Sequence, residues 1–238
     1  MVIKPISLLL ISLFFVYRLF ACYYPFNLTH FKMNRNLWIL IISQIFSFTP
    51  GPVNVFLSGI VGNQLAINKS FATIPTALLI VGTASFSFFA AKIMSIIGRR
   101  LGFVLAGIAS SISCLIAAYS IKAESFFIFC VSCFILGAGM AFIHQYRFAA
   151  AESVEKENAP KAISILLLAG IVSAFIGITL ANYTKNYIQD YLYVGSYLTL
   201  AILTIMPAFF LSFYKEKSVV ISTPNKNLII RGYFEFLS

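Results

Sequence analysis

The chain has 238 residues, of which 60% are hydrophobic and 10% are charged. A soluble domain carries about 25% charged residues because its surface faces water, so this composition excludes a water-soluble globular fold and predicts a protein surrounded by the lipid bilayer. The formal net charge of +10 does not indicate nucleic-acid binding, because Lys and Arg occur singly or in small groups between apolar runs rather than on one face or arm.

An apolar stretch at residues 6–24 lies near the start of the chain. It predicts either an extra membrane helix or a signal peptide, since Lys4 precedes an apolar run as in the first two regions of a signal. The alternative is that translation starts at Met33, where a short basic segment leads directly into the next apolar stretch. Residues 1–32 are therefore interpreted as a separate leader or extra helix.

Six further stretches are long enough to cross a bilayer, which takes about 20 mostly apolar residues in a helix. They lie at 37–61, 71–91, 103–121, 126–146, 162–182 and 192–213. Glycine and serine recur within them, which predicts close helix contacts in lipid. The predicted fold is an all-α, polytopic membrane bundle, with its six-helix domain at 33–214 and a tail at 215–238.

Basic residues alternate between the connections of these stretches. One set of connections carries only Lys69, Lys122 and Lys185. The other set carries twelve, namely Lys32, Arg35, Lys92, Arg99, Arg100, Arg147, Lys156, Lys161, Lys215, Lys217, Lys226 and Arg231. Cytoplasmic loops hold the excess of Lys and Arg, so we expect a multi-pass inner-membrane protein with both ends of its six-helix core in the cytoplasm.

Polar residues surround a proline pair in the first stretch. Residues 49–52 (Thr-Pro-Gly-Pro) predict a bend or break, because proline removes a backbone donor and crowds the preceding turn. Gln44 and Asn54 lie on either side of it. Because polar groups inside spans are costly in lipid, these amides either bind a solute or a neighbouring helix, or they satisfy backbone groups freed by the prolines. Both interpretations stay open.

His144 and Gln145 lie near the end of the fourth stretch. A titratable imidazole at that depth is able to gate protons, whereas the plainer interpretation is a hydrogen-bonded side chain at the membrane interface. Together with Gln44 and Asn54 they are the candidate substrate-binding residues. The hypothesis for all four is contact with a small-molecule solute.

Signs of catalysis are missing from the sequence. None of the seven acidic residues lies well inside a main span, and there is neither a Walker-type phosphate loop nor an HExxH pair. The cysteines lie in apolar segments, apart from His and acidic partners, and are interpreted as buried thiols. The sequence therefore predicts no enzyme, no cofactor and no metal site.

Several local motifs resemble the amino-terminal half of a major facilitator superfamily transporter. Residues 97–103 (Ile-Gly-Arg-Arg-Leu-Gly-Phe) are similar to the end of that family's signature loop between the second and third helices. Residues 145–152 and 159–164 resemble the connection between the fourth and fifth helices, and residues 72–77 resemble the start of the second. The resemblance covers roughly residues 36–214.

The chain departs from the family pattern at four positions. Ala91 and Ser95 align with the first glycine and the aspartate of the signature loop. Cys133 aligns with an arginine of the fourth-helix motif, and Ile178 aligns with a proline of the fifth. These departures argue against transferring the proton antiport of the family's drug exporters to this chain.

The resemblance implies transport of a small solute by alternating access, in which two six-helix halves rock about a central site. It implies orienting and gating roles for Gly98, Arg99, Arg100, Arg147 and Glu152, with Arg147 either pairing with Glu152 or meeting the helix end. Because the chain has spans for one half, a homodimer or a separate second six-helix half is expected. The alternative is a non-transporting fragment or accessory subunit left by truncation of such a transporter.

Overall fold

The computed structural model describes residues 33–188 and 190–214. The predicted leader at 1–32 and the predicted tail at 215–238 lie outside the described residues. Six helical spans are present in the described part, and each is long and apolar enough to cross a membrane: Arg35–Leu65, Lys69–Ile97, Arg99–Lys122, Phe126–Ser153, Lys156–Thr184 and Val194–Leu211. These same residues contain no strand. The all-α membrane bundle predicted from the sequence is confirmed.

Eight α-helices build the six spans within the described ranges. The first span contains α1 and α2, the fourth contains α5 and the short α6, and each of the others contains one helix. Their bounds are α1 Arg35–Phe48, α2 Pro50–Leu65, α3 Ile74–Ile97, α4 Arg99–Lys122, α5 Phe126–Ile143, α6 Tyr146–Ser153, α7 Ala159–Thr184 and α8 Val194–Leu211. Short 3-10 turns at Lys69–Phe71 and Lys156–Asn158 lead into α3 and α7.

The first span is divided at Thr49, as the two prolines predict. Thr49 keeps helical dihedral angles (φ −49°, ψ −45°), so the helix is interrupted there without unwinding of the span. The Thr49 hydroxyl donates to the Ile45 carbonyl at 2.7 Å and lies 3.0 Å from the Ser173 hydroxyl of α7. Pro50 occupies the first turn of α2, where no intrahelical donor is needed. The junction of α1 and α2 is therefore held against the fifth span by a contact between hydroxyls.

The turn between α3 and α4 is much tighter than the sequence suggested. The predicted connection ran from 92 to 102, but α3 continues to Ile97 and α4 begins at Arg99, so only Gly98 lies between the two helices. Gly98 has φ 88° and ψ 156°. A residue without Cβ adopts a positive φ at little cost, and this allows one residue to reverse the chain. The helices therefore extend beyond the predicted spans on both sides of Gly98.

The six spans pack against one another in a series in which each span contacts the next. The second span packs on the fourth, the fourth on the third, the third on the sixth, the sixth on the first and the first on the fifth. The helices α3 and α5 approach each other closely, because a Cβ on Gly82 would meet the Phe134 carbonyl and one on Gly137 would meet the Leu79 carbonyl. The predicted use of small residues at helix contacts is confirmed there.

The second and fifth spans stand at the two ends of this series and are the least covered. Only 22% and 28% of the residues in their apolar segments are buried, against 50–56% in the other four. On the third span the exposed side chains are large and aliphatic, at Leu101, Leu105, Ile108, Ile112 and Leu115. Their helical spacing produces a ridge suited to lipid contact. The faces of α3 and α7 are uncovered to a greater extent.

Candidate functional site

A cavity of about 1150 Å³ lies at the end of the bundle where α1, α4 and α7 begin. We call this the basic end. Its lining includes Gly98 and Arg99 from the turn between the second and third spans, and Gln145 and Glu152 from the fourth. Asn36 belongs to the first span and also lines it. The structure thus brings four of the predicted site residues together around one cavity.

Arg99 and Glu152 form an ion pair at the rim of this cavity. The guanidinium donates from a terminal nitrogen to Oε1 of Glu152 at 2.5 Å, and their side chains are 23% and 49% exposed. A charge-assisted hydrogen bond of this kind is stronger than a neutral one, although solvent exposure reduces its contribution to stability. Gly98 sets the first turn of α4 and thereby places Arg99. The pair joins the third span to the fourth.

The other two predicted arginines lie on the surface of the basic end. Arg147 donates from Nε to the His144 carbonyl at 3.0 Å, and its guanidinium carbon lies 6.0 Å from the centroid of the Phe148 ring. Of the two contacts expected for Arg147, the structure shows the one with the helix end. Arg100 is exposed in the first turn of α4. Neither side chain is part of the cavity lining.

Two residues that sequence reasoning missed also tie the basic end together. Asn34 donates from Nδ2 to the Ser153 carbonyl at 3.0 Å, and Arg35 donates to the Phe213 carbonyl at 3.2 Å. These bonds join the start of the first span to the ends of the fourth and sixth spans. The sequence does show polar side chains just before an apolar run. Their position alone does not identify their hydrogen-bond partners.

Gln44 lies away from the cavity, where α1 crosses α7. Its side chain is 6% exposed, and Oε1 has no hydrogen-bond partner among the residues that the structure describes. The neighbouring residue on the fifth span is Gly170, and Phe48 lies one helical turn further along α1. An amide oxygen without a partner in a buried place costs about 1–3 kcal/mol. No contact of Oε1 among the described residues therefore explains why this buried position carries a polar side chain.

Asn54 is 1% exposed and joins three spans. Its Oδ1 accepts from the Tyr197 hydroxyl at 2.9 Å, and its Nδ2 lies 3.5 Å from Sγ of Cys133. Of the interpretations that the sequence left open for Asn54, the structure shows hydrogen bonding to neighbouring helices. Sequence reasoning did not identify Tyr197, because tyrosine is common in membrane spans and no motif marks this one.

His144 and Gln145 are adjacent in sequence but face different surroundings. The half-buried His144 ring packs edge-on against Phe48, with ring centroids 5.8 Å apart and planes at 70°. Gln145 is half-buried and lines the basic-end cavity. Through Phe48, His144 lies close to the crossing of α1 and α7. The predicted residues thus fall into two places, the basic-end cavity and this crossing, with Asn54 in the core.

We expect reversal of one charge of the basic-end pair to destabilise the bundle modestly. Arg99→Glu or Glu152→Arg places like charges together and should cost up to about 1 kcal/mol each. Exchange of both residues should recover most of this, and thermal unfolding in detergent measures the effect. Lys122→Glu at the opposite end of the bundle is the matched control. Strictly additive effects of the two reversals would show that the pair contributes nothing.

Six helices that are long and apolar enough to cross a membrane, with a cavity at one end, define an integral, multi-pass membrane protein. The family model of the Major Facilitator Superfamily matches residues 37–230. The chain belongs to this family of transporters. Members of the family are transporters rather than enzymes, which agrees with the absence of catalytic motifs from the sequence.

Curated relatives add detail to this assignment. The riboflavin transporter RfnT of Brucella anthropi is 33% identical over 172 residues, which are 72% of this chain and 43% of the relative. The MFS-type transporter YdeG of Bacillus subtilis, described as uncharacterised, is 28% identical over 62% of this chain and 34% of its own length. The chain thus spans less than half the length of these relatives. No solved structure shows a significant match.

Proposed function

We propose that the chain forms one six-helix half of a transporter that moves a small solute across an inner membrane by alternating access. Family membership supports the transport role. The observation that carries the proposal is the poor burial of the second and fifth spans, which stand at opposite ends of the packing series. Two such flanking helices are suited to meet a second six-helix unit, with the solute between them.

A row of small exposed residues on α3 supports contact with a protein partner. Ala77, Ala84 and Ala91 are exposed and seven residues apart, so they lie on one face of the helix. Small residues allow backbones to approach closely, and this drives helix association in membranes. Large side chains are also exposed on α3, among them Phe88 and Ile96, as they are on the ridge of α4. The row of alanines is the feature of α3 that supports contact with another helix.

We propose that the basic end faces the cytoplasm. Among the described residues, this end carries Arg35, Arg99, Arg100 and Arg147 in addition to three lysines, whereas the opposite end carries Lys69, Lys122 and Lys185. The cytoplasmic side of a membrane protein holds the excess of basic residues. The Arg99–Glu152 pair would then act at the cytoplasmic gate.

Riboflavin is the first solute that we propose to test, because a relative with 33% identity is named a riboflavin transporter. We propose Gln44, His144 and Gln145 as the solute-contacting residues of this half. Asn54 is proposed as a helix-joining residue, because its amide already contacts Tyr197 and Cys133. The second unit is either a second copy of the chain or a separate six-helix half.

The substitution Ala84→Phe tests the proposed face. We expect the protein to assemble with a second six-helix unit in mild detergent and to take up riboflavin in proteoliposomes. Ala84→Phe should leave the bundle folded, but it should reduce assembly and lower uptake at least about tenfold, because a large ring blocks close helix approach. Mass measurement with the detergent subtracted and the initial rate of uptake give the two readouts.

The matched control is Ile108→Phe, which adds a ring on the exposed ridge of α4. It should change neither assembly nor uptake. A chain that stays monomeric, finds no partner and transports nothing would contradict the proposal. That result would favour the non-transporting membrane protein.

A further inference from the structure

The uncovered face of α3 carries a repeating row of side chains, which we call the α3 seam. Its members follow one another at alternating spacings of four and three residues, so they lie on one face of the helix. They are Ala77, Val81, Ala84, Phe88, Ala91 and Ser95, and all of them are exposed. A seven-residue repeat of this kind is the spacing with which two helices pack along their length. Other exposed side chains of α3, such as Phe89 and Ile96, lie to one side of the seam.

A second row with the same spacing runs along the uncovered face of α7, and we call it the α7 seam. It consists of Ser164, Leu168, Ile171, Phe175, Ile178 and Asn182. Leu168 and Ile178 are half-buried, and the other four are exposed. Neither seam contains a charged residue, so packing one seam against the other would bury no charge in the membrane.

The two seams run in opposite directions relative to the basic end, because α3 ends there and α7 begins there. Two copies inserted in the same orientation are related by a two-fold axis along the membrane normal. The α3 seam of one copy would then lie antiparallel to the α7 seam of the other, and their spacings match member for member. Ala84 would face Phe175, and Ala91 would face Leu168. The midpoints of α3 and α7 would lie about 3 Å apart along the helix axis, so both helices keep the same depth in the membrane.

The sizes of the side chains favour this pairing over packing of either seam on itself. Across the two-fold axis, α3 against α3 would set Phe88 against Phe88, and α7 against α7 would set Phe175 against Phe175. The α3 seam against the α7 seam sets the Phe175 ring against the Ala84 methyl instead. Membrane helices associate through such close packing, in which small residues on one helix leave room for the other.

The area of the two seams is sufficient for a stable interface. The helix α3 has 24 residues and α7 has 26. A helix rises about 1.5 Å per residue and is about 10 Å wide, so the two faces of one copy together amount to about 750 Å². A stable interface buries about 800 Å² on each partner. Two copies that use both seams would therefore reach this size.

The basic-end cavity lies between the two seams. Ala91 and Ser95 of the α3 seam line this cavity, and so does Ala159 at the start of α7. Packing of both seams against a second copy would therefore enclose the cavity between two six-helix units. The wall of the cavity is incomplete without such a partner.

We propose that two copies of this chain form a symmetric dimer in which the α3 seam of each copy packs along the α7 seam of the other, in the register that sets Ala84 opposite Phe175. This inference rests on the proposed function, because it identifies the second six-helix unit as a second copy. The chain itself carries both of the complementary surfaces, and each contact occurs twice about the two-fold axis.

Disulfide cross-linking of the full chain in membranes tests the register. In Ala84→Cys/Phe175→Cys the two new thiols face each other across the dimer, whereas in Ala84→Cys/Leu168→Cys the second thiol lies about 10 Å further along α7. A disulfide needs Cα atoms within about 7 Å of each other, so we expect at least about tenfold more covalent dimer from the first pair. A denaturing gel separates covalent dimers from single chains, and the parent with its own cysteines gives the background.

Exchange of the two facing side chains gives a second measurement. Ala84→Phe alone should reduce the dimer, which is measured by mass in mild detergent. Addition of Phe175→Ala should restore most of it, because the ring then occupies the same place from the other side. Addition of Leu168→Ala instead is the matched control and should restore nothing, because the space it opens lies elsewhere along the seam.

Equal cross-linking by the two cysteine pairs, or no recovery after the exchange, would overturn the pairing of the seams. Riboflavin uptake in proteoliposomes by a parent whose in-register variant forms no covalent dimer would also overturn it, while the transport proposal would stand. The expected cross-link in a protein that takes up no riboflavin would support the pairing and count against the transport proposal alone.

Discussion

Gly137→Ala is expected to leave little correctly folded protein, although it adds a single methyl group. The new Cβ would meet the Leu79 carbonyl and the Thr83 amide nitrogen of the second span, and these are backbone atoms that no rotamer change can move. The Thr83 hydroxyl also donates to the Gly137 carbonyl at 3.1 Å, so the two helices are tied where they touch. Separating α3 from α5 would weaken this contact along both helices.

The expected cost of this substitution is about 3 kcal/mol, at the upper end for overpacking of a core. Folded yield by size exclusion and the midpoint of thermal unfolding, both in mild detergent, measure the effect. Gly59→Ala is the matched control, because its Cβ meets nothing within 4 Å and alanine favours a helix more than glycine does. Equal stability of the two variants would show that the helices separate without penalty.

Asn54→Ala is expected to cost about 2 kcal/mol, because it leaves the buried Tyr197 hydroxyl without its acceptor. The amide joins α2 to α5 and α8, so its removal loosens three spans at once. Tyr197→Phe removes the same hydrogen bond from the other side. If the bond itself is what stabilises the bundle, the double variant should cost clearly less than the sum of the two single ones.

The double-mutant cycle is measured by thermal unfolding in detergent. Asn63→Ala, at an exposed position of the same helix, is the matched control and should leave the midpoint unchanged. Hydrogen bonds between helices in membranes average only about 0.6 kcal/mol. A coupling free energy near zero between Asn54 and Tyr197 would therefore mean that Asn54 stabilises through its packing alone.

The surroundings of Asn54 bear on the departures from the family pattern. Cys133 stands where the resemblance aligns an arginine, and in this chain its thiol lies in the buried core, 3.5 Å from Nδ2 of Asn54. At this point of the fourth span a thiol stands in place of a charge, beside the Asn54 amide of the first span, which also accepts from the Tyr197 phenol of the sixth. The position therefore serves packing between helices in this chain, and no charged residue is held there.

Much of the architecture was predictable because the bilayer imposes simple requirements. A helix that crosses it must be long and apolar, and its backbone must satisfy its own hydrogen bonds. The six spans could therefore be identified from hydropathy. The ends were less predictable, and Gly98 shows why. A single residue with φ 88° replaced a loop of about ten residues, and backbone dihedral angles are not visible in composition.

The sequence predicted which residues belong to the candidate site better than it predicted the contacts between them. Gly98, Arg99 and Glu152 were grouped through the family resemblance, and the structure places them around one cavity with Gln145. Glu152 was expected to be within reach of Arg147, yet the ion pair that the structure shows joins it to Arg99. Arg99 and Glu152 are 53 residues apart in the sequence, and they come into contact because the start of α4 and the end of α6 meet at the basic end.

The sequence by itself determined the membrane location, the number of spans and the division of the first helix at its prolines, because apolar length and proline chemistry are local properties. Only the tertiary structure decided which polar groups are paired. Asn54 meets Cys133 and Tyr197 across 79 and 143 residues, whereas Oε1 of Gln44 meets no partner within the described part of the chain. These outcomes depend on how the helices are rotated and spaced against one another, and packing sets this for all six spans together.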